Sequence, residues 1–129
     1  MVGIVLISHS SGLAQGAVEL VTQIAGRVRV IGAGGTDDGR LGTSTERIAA
    51  AIAAADNGDG VVLIPDLGSS VLAALSLLGD LDPPQDKRVL LADAPFIEGA
   101  VAAAVAASTG LDLKAVVAAA EEARHVRKL

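Results

Sequence analysis

Residues 2–12 read Val-Gly-Ile-Val-Leu-Ile-Ser-His-Ser-Ser-Gly, an apolar run that stops abruptly in four polar residues and a glycine. A run without polar alternation is expected of a strand covered by helices on both faces. From Leu13 the period changes. Leu13, Ala17, Leu20, Val21 and Ile24 recur at helical spacing, and Gly26 closes the pattern. Strand, short polar loop and helix make the first half of a βαβ unit.

The alternation continues along the chain. Val28–Ala33, Gly60–Ile64 and Arg88–Leu91 read as strands, separated by alanine-rich blocks at Ala49–Ala55, Ala100–Ala107 and Ala115–Ala123. Thr43-Ser44-Thr45-Glu46 matches a capping box, with Ile48 and Ile52 on the buried face behind it. Val71, Leu72, Leu75 and Leu78 form a third stripe closed by Gly79. Pro95 opens a fourth helix, Gly110 ends it, and Asp112 caps a last helix over Leu113–Ala123. The pattern predicts a parallel sheet with right-handed crossovers. No linker or repeat breaks it, so residues 1–129 are expected to form a single domain.

Composition narrows the function. The chain has 10 Lys+Arg against 15 Asp+Glu, a net charge of −5, no Trp, no Tyr and one Phe. It therefore lacks both the basic surface and the stacking platforms that nucleic acid requires. Zero cysteines exclude disulfides and thiolate chemistry. The only histidines, His9 and His125, lie at opposite ends of the chain, so no metal is expected. Mean hydropathy is +0.55. The longest uncharged helical stretches, Leu67–Gly79 and Gly99–Leu111, still fall short of the roughly 18–20 residues a membrane span needs. The apolar N-terminus lacks a basic leader, and a cytoplasmic protein is expected.

Open parallel sheets collect chemistry at the carboxyl ends of their strands. Four segments should meet there: Ser8–Gly12, Gly34–Thr43, Pro65–Ser70 and Asp93–Pro95. His9 follows the first strand directly and precedes a helix N-terminus, a place that attracts phosphate. An imidazole, largely neutral at pH 7, is a competent nucleophile toward phosphorus. Asp66 is the candidate to fix its tautomer. The plain alternatives are a histidine that orders a loop, an aspartate that caps the next helix, and serines 10, 11, 69 and 70 in turns and caps. His125 sits in a basic tail that suits a helix C-terminus. Gly32-Ala33-Gly34-Gly35 lacks the third glycine of a dinucleotide fingerprint, and no P-loop, GxSxG or HExxH occurs. One rim histidine gives hydrolysis few players. A carrier needs only one.

Ile4–Ser11 resembles the phosphorylation-site segment of the phosphotransfer subunit of bacterial phosphoenolpyruvate-dependent dihydroxyacetone kinase, itself similar to the IIA component of mannose-type sugar phosphotransferase systems. Gly35-Thr36-Asp37-Asp38 through Gly42-Thr43, Asp66-Leu67-Gly68-Ser69-Ser70 and Ala94–Gly99 match in the same order. Each motif alone is weak, but four in register around one rim are specific. The resemblance implies a mannose-type IIA-like fold, expected here as an α/β single open parallel β-sheet of about four strands in order 2-1-3-4 under about five helices.

The resemblance further implies that His9 accepts a phosphoryl group from the histidine-containing phosphocarrier protein. It would pass that group to ADP on the nucleotide-binding kinase subunit, and the ATP so formed phosphorylates dihydroxyacetone. No cofactor would be bound; the intermediate is a covalent phosphohistidine. Asp66 would orient His9, while Ser10, Ser11, Gly12, Leu13 and Ser69 would hold the phosphoryl oxygens. Gly35, Thr36, Asp38, Gly42, Thr43 and Gly68 would line the rim against a partner. Some relatives continue into carrier-like and enzyme-I-like domains, so separate donor proteins are expected here. The family commonly dimerises, and a homodimer is expected. A sugar-transport IIA domain donating to a IIB protein, and a non-catalytic regulatory or scaffolding domain, are the alternatives.

Overall fold

The computed structural model describes the whole chain, Met1–Leu129. Strands β1 (Gly3–Ser8), β2 (Val30–Gly34), β3 (Val61–Pro65) and β4 (Val89–Leu91) form one sheet in the order β2-β1-β3-β4. All three pairings are parallel. Five α-helices connect and cover them: α1 (Ser11–Ile24), α2 (Thr45–Ala55), α3 (Ser69–Gly79), α4 (Phe96–Ser108) and α5 (Leu113–Glu122). Two short 3₁₀ turns, Gln85–Lys87 and Ala123–His125, complete the chain. The expected strand order and helix number are both present.

The central strands explain the apolar runs. In β1 and β3 every residue is buried, because each lies between two strands and beneath helices on both faces. The two-residue period of β1 divides its side chains between two cores. Val2, Ile4 and Leu6 pack with residues of α1, α4 and α5, whereas Val5 and Ile7 pack with those of α2 and α3. The molecule is thus a three-layer sandwich, with each buried branched side chain of β1 contributing about 1.5–3 kcal/mol.

The helix faces depart from the sequence reading at two places. In α1 the buried residues are Ala14, Ala17 and Val21, while Leu13, Leu20 and Ile24 are about half exposed. Gly32 and Gly34 of β2 draw the helix in on its alanines: a Cβ on Gly34 would lie 2.5 Å from the Ser10 carbonyl oxygen and 2.8 Å from Ala14 Cβ. In α3 the expected stripe is turned outward at Leu72, which is 68% exposed, and at Leu75. The sheet instead receives Ala74, and Ser70 turns toward the rim. From Val71 to Leu78 only Ser76 interrupts the apolar residues of α3, so hydropathy alone marks no face.

The capping pattern shifts by one residue. Ser44, not Thr43, caps α2, its hydroxyl accepting the Arg47 N–H at 3.3 Å. Pro95 occupies the N-cap position of α4 rather than its first turn. Asp112 caps α5 as expected, accepting the Ala115 N–H at 2.9 Å. Gly110 follows the end of α4 at φ +85°, the left-handed conformation that stops a helix.

Candidate active site

The register of β1 and β3 creates the site. Ile7 stands opposite Pro65, so the chain leaves both strands side by side at the same rim. The Asp66 N–H extends the ladder by one bond, to the Ile7 carbonyl at 2.9 Å. That bond brings the Asp66 carboxylate beneath His9, 57 residues away in sequence.

Asp66 is held by five donors. Oδ2 accepts from the Ser8 hydroxyl (2.9 Å) and the His9 backbone N–H (3.1 Å). Oδ1 accepts from the Ser70 hydroxyl (2.6 Å) and the Leu67 N–H (2.7 Å), and lies 3.0 Å from His9 Nδ1. Burial works to raise the carboxyl pKa, its side chain being 8% exposed. The hydrogen bonds from Ser70, the His9 N–H, Ser8 and the Leu67 N–H outweigh it and bring the value from 3.8 down to about 2. The carboxylate is therefore ionised at neutral pH and can only accept. In the neutral imidazole this places the ring proton on His9 Nδ1 and the lone pair on Nε2.

That lone pair faces the Ser69 hydroxyl, whose Oγ lies 2.5 Å from Nε2. Ser69 opens α3, placed by Gly68 at φ +42°, where a side chain would be strained. The His9 side chain is 27% exposed, so the ring lies at the surface of the rim with the Ser69 hydroxyl over Nε2.

The other expected site residues are distributed unevenly around this centre. Ser10 is the N-cap of α1, and its hydroxyl accepts the Leu13 N–H at 3.1 Å, so those two groups are engaged with each other. Ser11 and Gly12 form the exposed first turn, and their N–H groups have no acceptor. The rim loop is tied to the site through its backbone. The Gly35 N–H donates to the Ser8 carbonyl (3.3 Å) and the Gly42 N–H to the His9 carbonyl (2.9 Å). Within the loop the Thr36 hydroxyl bonds Asp38, which holds that carboxyl below its usual range. Asp37 pairs with Arg47 of α2 at 2.9 Å. Thr43 is half-buried just ahead of the α2 cap. His125 is exposed in the C-terminal 3₁₀ turn.

Two participants go beyond the expected site. Ser8 and Ser70 are the only buried polar residues of the chain, and both bond Asp66. Ser70 reads in the sequence more readily as a turn or cap residue than as a ligand. The available signals were a serine ending an apolar strand, and the four-residue spacing of Ser70 from Asp66. No group of three or more His, Asp and Glu side chains is placed to hold a metal ion. The apolar groove lined by Ile97, Val101, Ala119 and Val126 lies between α4, α5 and the C-terminal segment and contains none of these residues.

Comparison with known families decides the kinship. The model of the family described as EIIA-man, PTS system fructose IIA component, matches residues 3–117. The chain belongs to that family. Among its relatives, this EIIA-man chain is 41% identical over 106 residues to a protein of Listeria innocua serovar 6a named phosphoryl donor subunit DhaM of PEP-dependent dihydroxyacetone kinase 2. That match covers 81% of this chain and 85% of the relative. It is 34% identical to the phosphoryl donor subunit DhaM of Escherichia coli (strain K12), over 99% of this chain but 28% of the relative. A solved structure, described as that of the unknown function protein EF1359, superposes with a TM-score of 0.86 at 34% identity. It covers 95% of both chains. No helix of this EIIA-man chain is long and apolar enough to cross a membrane.

Proposed function

We propose that the chain is a phosphoryl carrier of a phosphoenolpyruvate-dependent dihydroxyacetone kinase, with Nε2 of His9 as the covalent site. The observation that carries this reading is the Asp66–His9 pair. An ionised carboxylate on Nδ1 leaves the nucleophilic lone pair on the outward nitrogen. The names of the relatives from Listeria innocua and Escherichia coli support the choice of kinase.

The donor is the phosphohistidine of a histidine-containing phosphocarrier protein. Its P–N bond breaks as Nε2 of His9 forms a new one, and the ring becomes an imidazolium that Asp66 stabilises. In the second transfer, ADP on the nucleotide-binding kinase subunit attacks phosphorus and the ring departs neutral. Nδ1 keeps its proton in both steps, so no general acid or base is needed. Catalysis is then positioning plus electrostatics, which suits a shallow rim. Ser69 must swing off Nε2 before phosphorus can reach it, and its hydroxyl is then free to donate to a phosphoryl oxygen. The N–H groups of Ser11 and Gly12 are further donors. Ser10 and Leu13 join them only by exchanging their mutual bond. Gly35, Thr36, Asp38, Gly42, Thr43 and Gly68 border the face that meets either partner.

The reading includes a cytoplasmic homodimer. It is supported by the exposed apolar row Leu13, Leu20 and Ile24 along one side of α1. Sedimentation at micromolar concentration tests it; a Leu20→Glu variant should shift the protein to monomer.

The deciding experiment supplies phosphoenolpyruvate, enzyme I and the histidine-containing carrier, and follows intact mass. One acid-labile phosphoryl group is expected on the wild type and none on His9→Ala. Uptake by that variant would refute the site. A second reading, a sugar-transport IIA domain, is favoured by the family description itself. Discharge by the ADP-loaded kinase subunit supports the first reading; discharge only by a IIB protein supports the second.

A further inference from the structure

The contacts of the site contain a second arrangement that carrier chemistry does not use. Ser69 Oγ is 2.5 Å from His9 Nε2, and His9 Nδ1 is 3.0 Å from Asp66 Oδ1. Hydroxyl, imidazole and carboxylate stand in the order that activates a serine nucleophile, and such a relay is recognised by geometry whatever the order in sequence. Asp66 fixes the tautomer that makes Nε2 the proton acceptor. Ser69 is exposed, and it lies on a strand-to-helix turn preceded by a glycine with positive φ. Ser69 opens α3, and α1 begins two residues after His9, with Ser10 as its N-cap. The N–H groups of Ser11, Gly12 and Ser69 have no acceptor and are available to a developing oxyanion.

We infer that Ser69 is a second nucleophile of this protein, able to take an acyl or phosphonyl group from small activated electrophiles, with His9 as base and Asp66 as its orienting partner. With an aryl ester, the Ser69 oxygen bonds the acyl carbon and its proton moves to Nε2. The carbon–oxygen bond to the aryl group breaks, the aryloxide leaves, and the proton on Nε2 passes to it or to solvent. Water then attacks the acyl-serine, giving its proton to Nε2, and Ser69 regains a proton as the acid departs. With a fluorophosphonate, fluoride leaves, the displaced proton passes to solvent, and a stable phosphorus–oxygen bond remains on Ser69. Such an activity goes beyond the carrier reading and does not require it, since no phosphoryl donor takes part.

The test treats the purified full-length chain with a fluorophosphonate and locates the adduct by intact mass and peptide mapping. One adduct on Ser69 is expected, absent in Ser69→Ala. It should form about 10²-fold or more slowly in His9→Gln, the lower end of what a positioned base supplies. Circular dichroism verifies that both variants are folded. A parallel incubation with 4-nitrophenyl acetate should leave a transient acetyl group on Ser69. An absent adduct, labelling of Ser69 at an unchanged rate in His9→Gln, or acetyl on His9 alone would each overturn the inference. Uptake of phosphoryl from phosphoenolpyruvate is measured separately, so either reading can fail while the other stands.

Discussion

Asp66 grips His9 at both ends: Oδ1 lies 3.0 Å from the ring Nδ1, and Oδ2 accepts the backbone N–H of the same residue at 3.1 Å. One carboxylate therefore sets the tautomer of the imidazole and the position of the chain that bears it. Replacing Asp66 by Asn keeps the shape but removes the charge and turns one acceptor into a donor. Phosphoryl uptake by Asp66→Asn should fall by about 10²-fold or more, in the range lost when a catalytic histidine loses its tautomer control. Rapid-quench measurement of phosphohistidine formation checks this; a rate near that of the wild type would reduce Asp66 to a cap on the Leu67 turn.

The same carboxylate makes the fold sensitive to acid. Its pKa in the folded protein, about 2, lies below the ordinary value of 3.8. Its contribution to stability is thus complete above pH ~4 and is lost as the pH falls through about 2. The contribution is about 2 kcal/mol, from a side chain that is largely buried. Urea unfolding between pH 5 and 2 should show this decline in the wild type and a flatter profile in Asp66→Asn.

Ser8 joins Asp66 to helix α1. Its hydroxyl donates to Asp66 Oδ2 and accepts the Ser10 N–H at 3.0 Å, inside a fully buried strand end. Ser8→Ala should cost about 1–3 kcal/mol, because it strips partners from two polar groups that water reaches poorly. It should also raise the Asp66 pKa and move the acid limb of the unfolding profile to higher pH.

Two glycines should respond in opposite directions. Gly34→Ala would force a Cβ to within 2.5 Å of the Ser10 carbonyl, so destabilisation of about 1–3 kcal/mol and displacement of the α1 N-terminus are expected. Gly16 lies inside α1 with open space around its Cβ position. Gly16→Ala should stabilise the protein by about 0.5–1 kcal/mol through helix propensity. Thermal unfolding of the two variants distinguishes these outcomes.

The sheet was legible because Ile4–Ile7 and Val61–Ile64 are apolar at every position, which only doubly covered strands require. His9 was legible because it ends such a run. The helix faces were less so. Alanine and leucine both count as apolar, yet Ala14 and Ala74 face the sheet while Leu13 and Leu72 face outward; for α1 the reason is β2, whose glycines admit only a close approach. A capping box cannot tell Thr43 from Ser44 when both carry a hydroxyl. Ser8 was placed at the rim by the sequence, but its bond to Asp66 was not legible. Its partner lies 58 residues away, and only the pairing of β1 with β3 brings them together.

The Asp66 N–H bonded to the Ile7 carbonyl belongs to the sheet, whereas Ser69 stands just beyond it on an exposed turn. Amide hydrogen exchange should thus change steeply across the three residues from Asp66 to Ser69. The Asp66 proton should exchange only when the sheet opens, at a free energy close to that of global unfolding. The Ser69 proton should exchange almost as freely as in a peptide. The fixed and the yielding halves of the site are separated by one short turn, so the hydroxyl over Nε2 can depart and return without the imidazole losing its alignment.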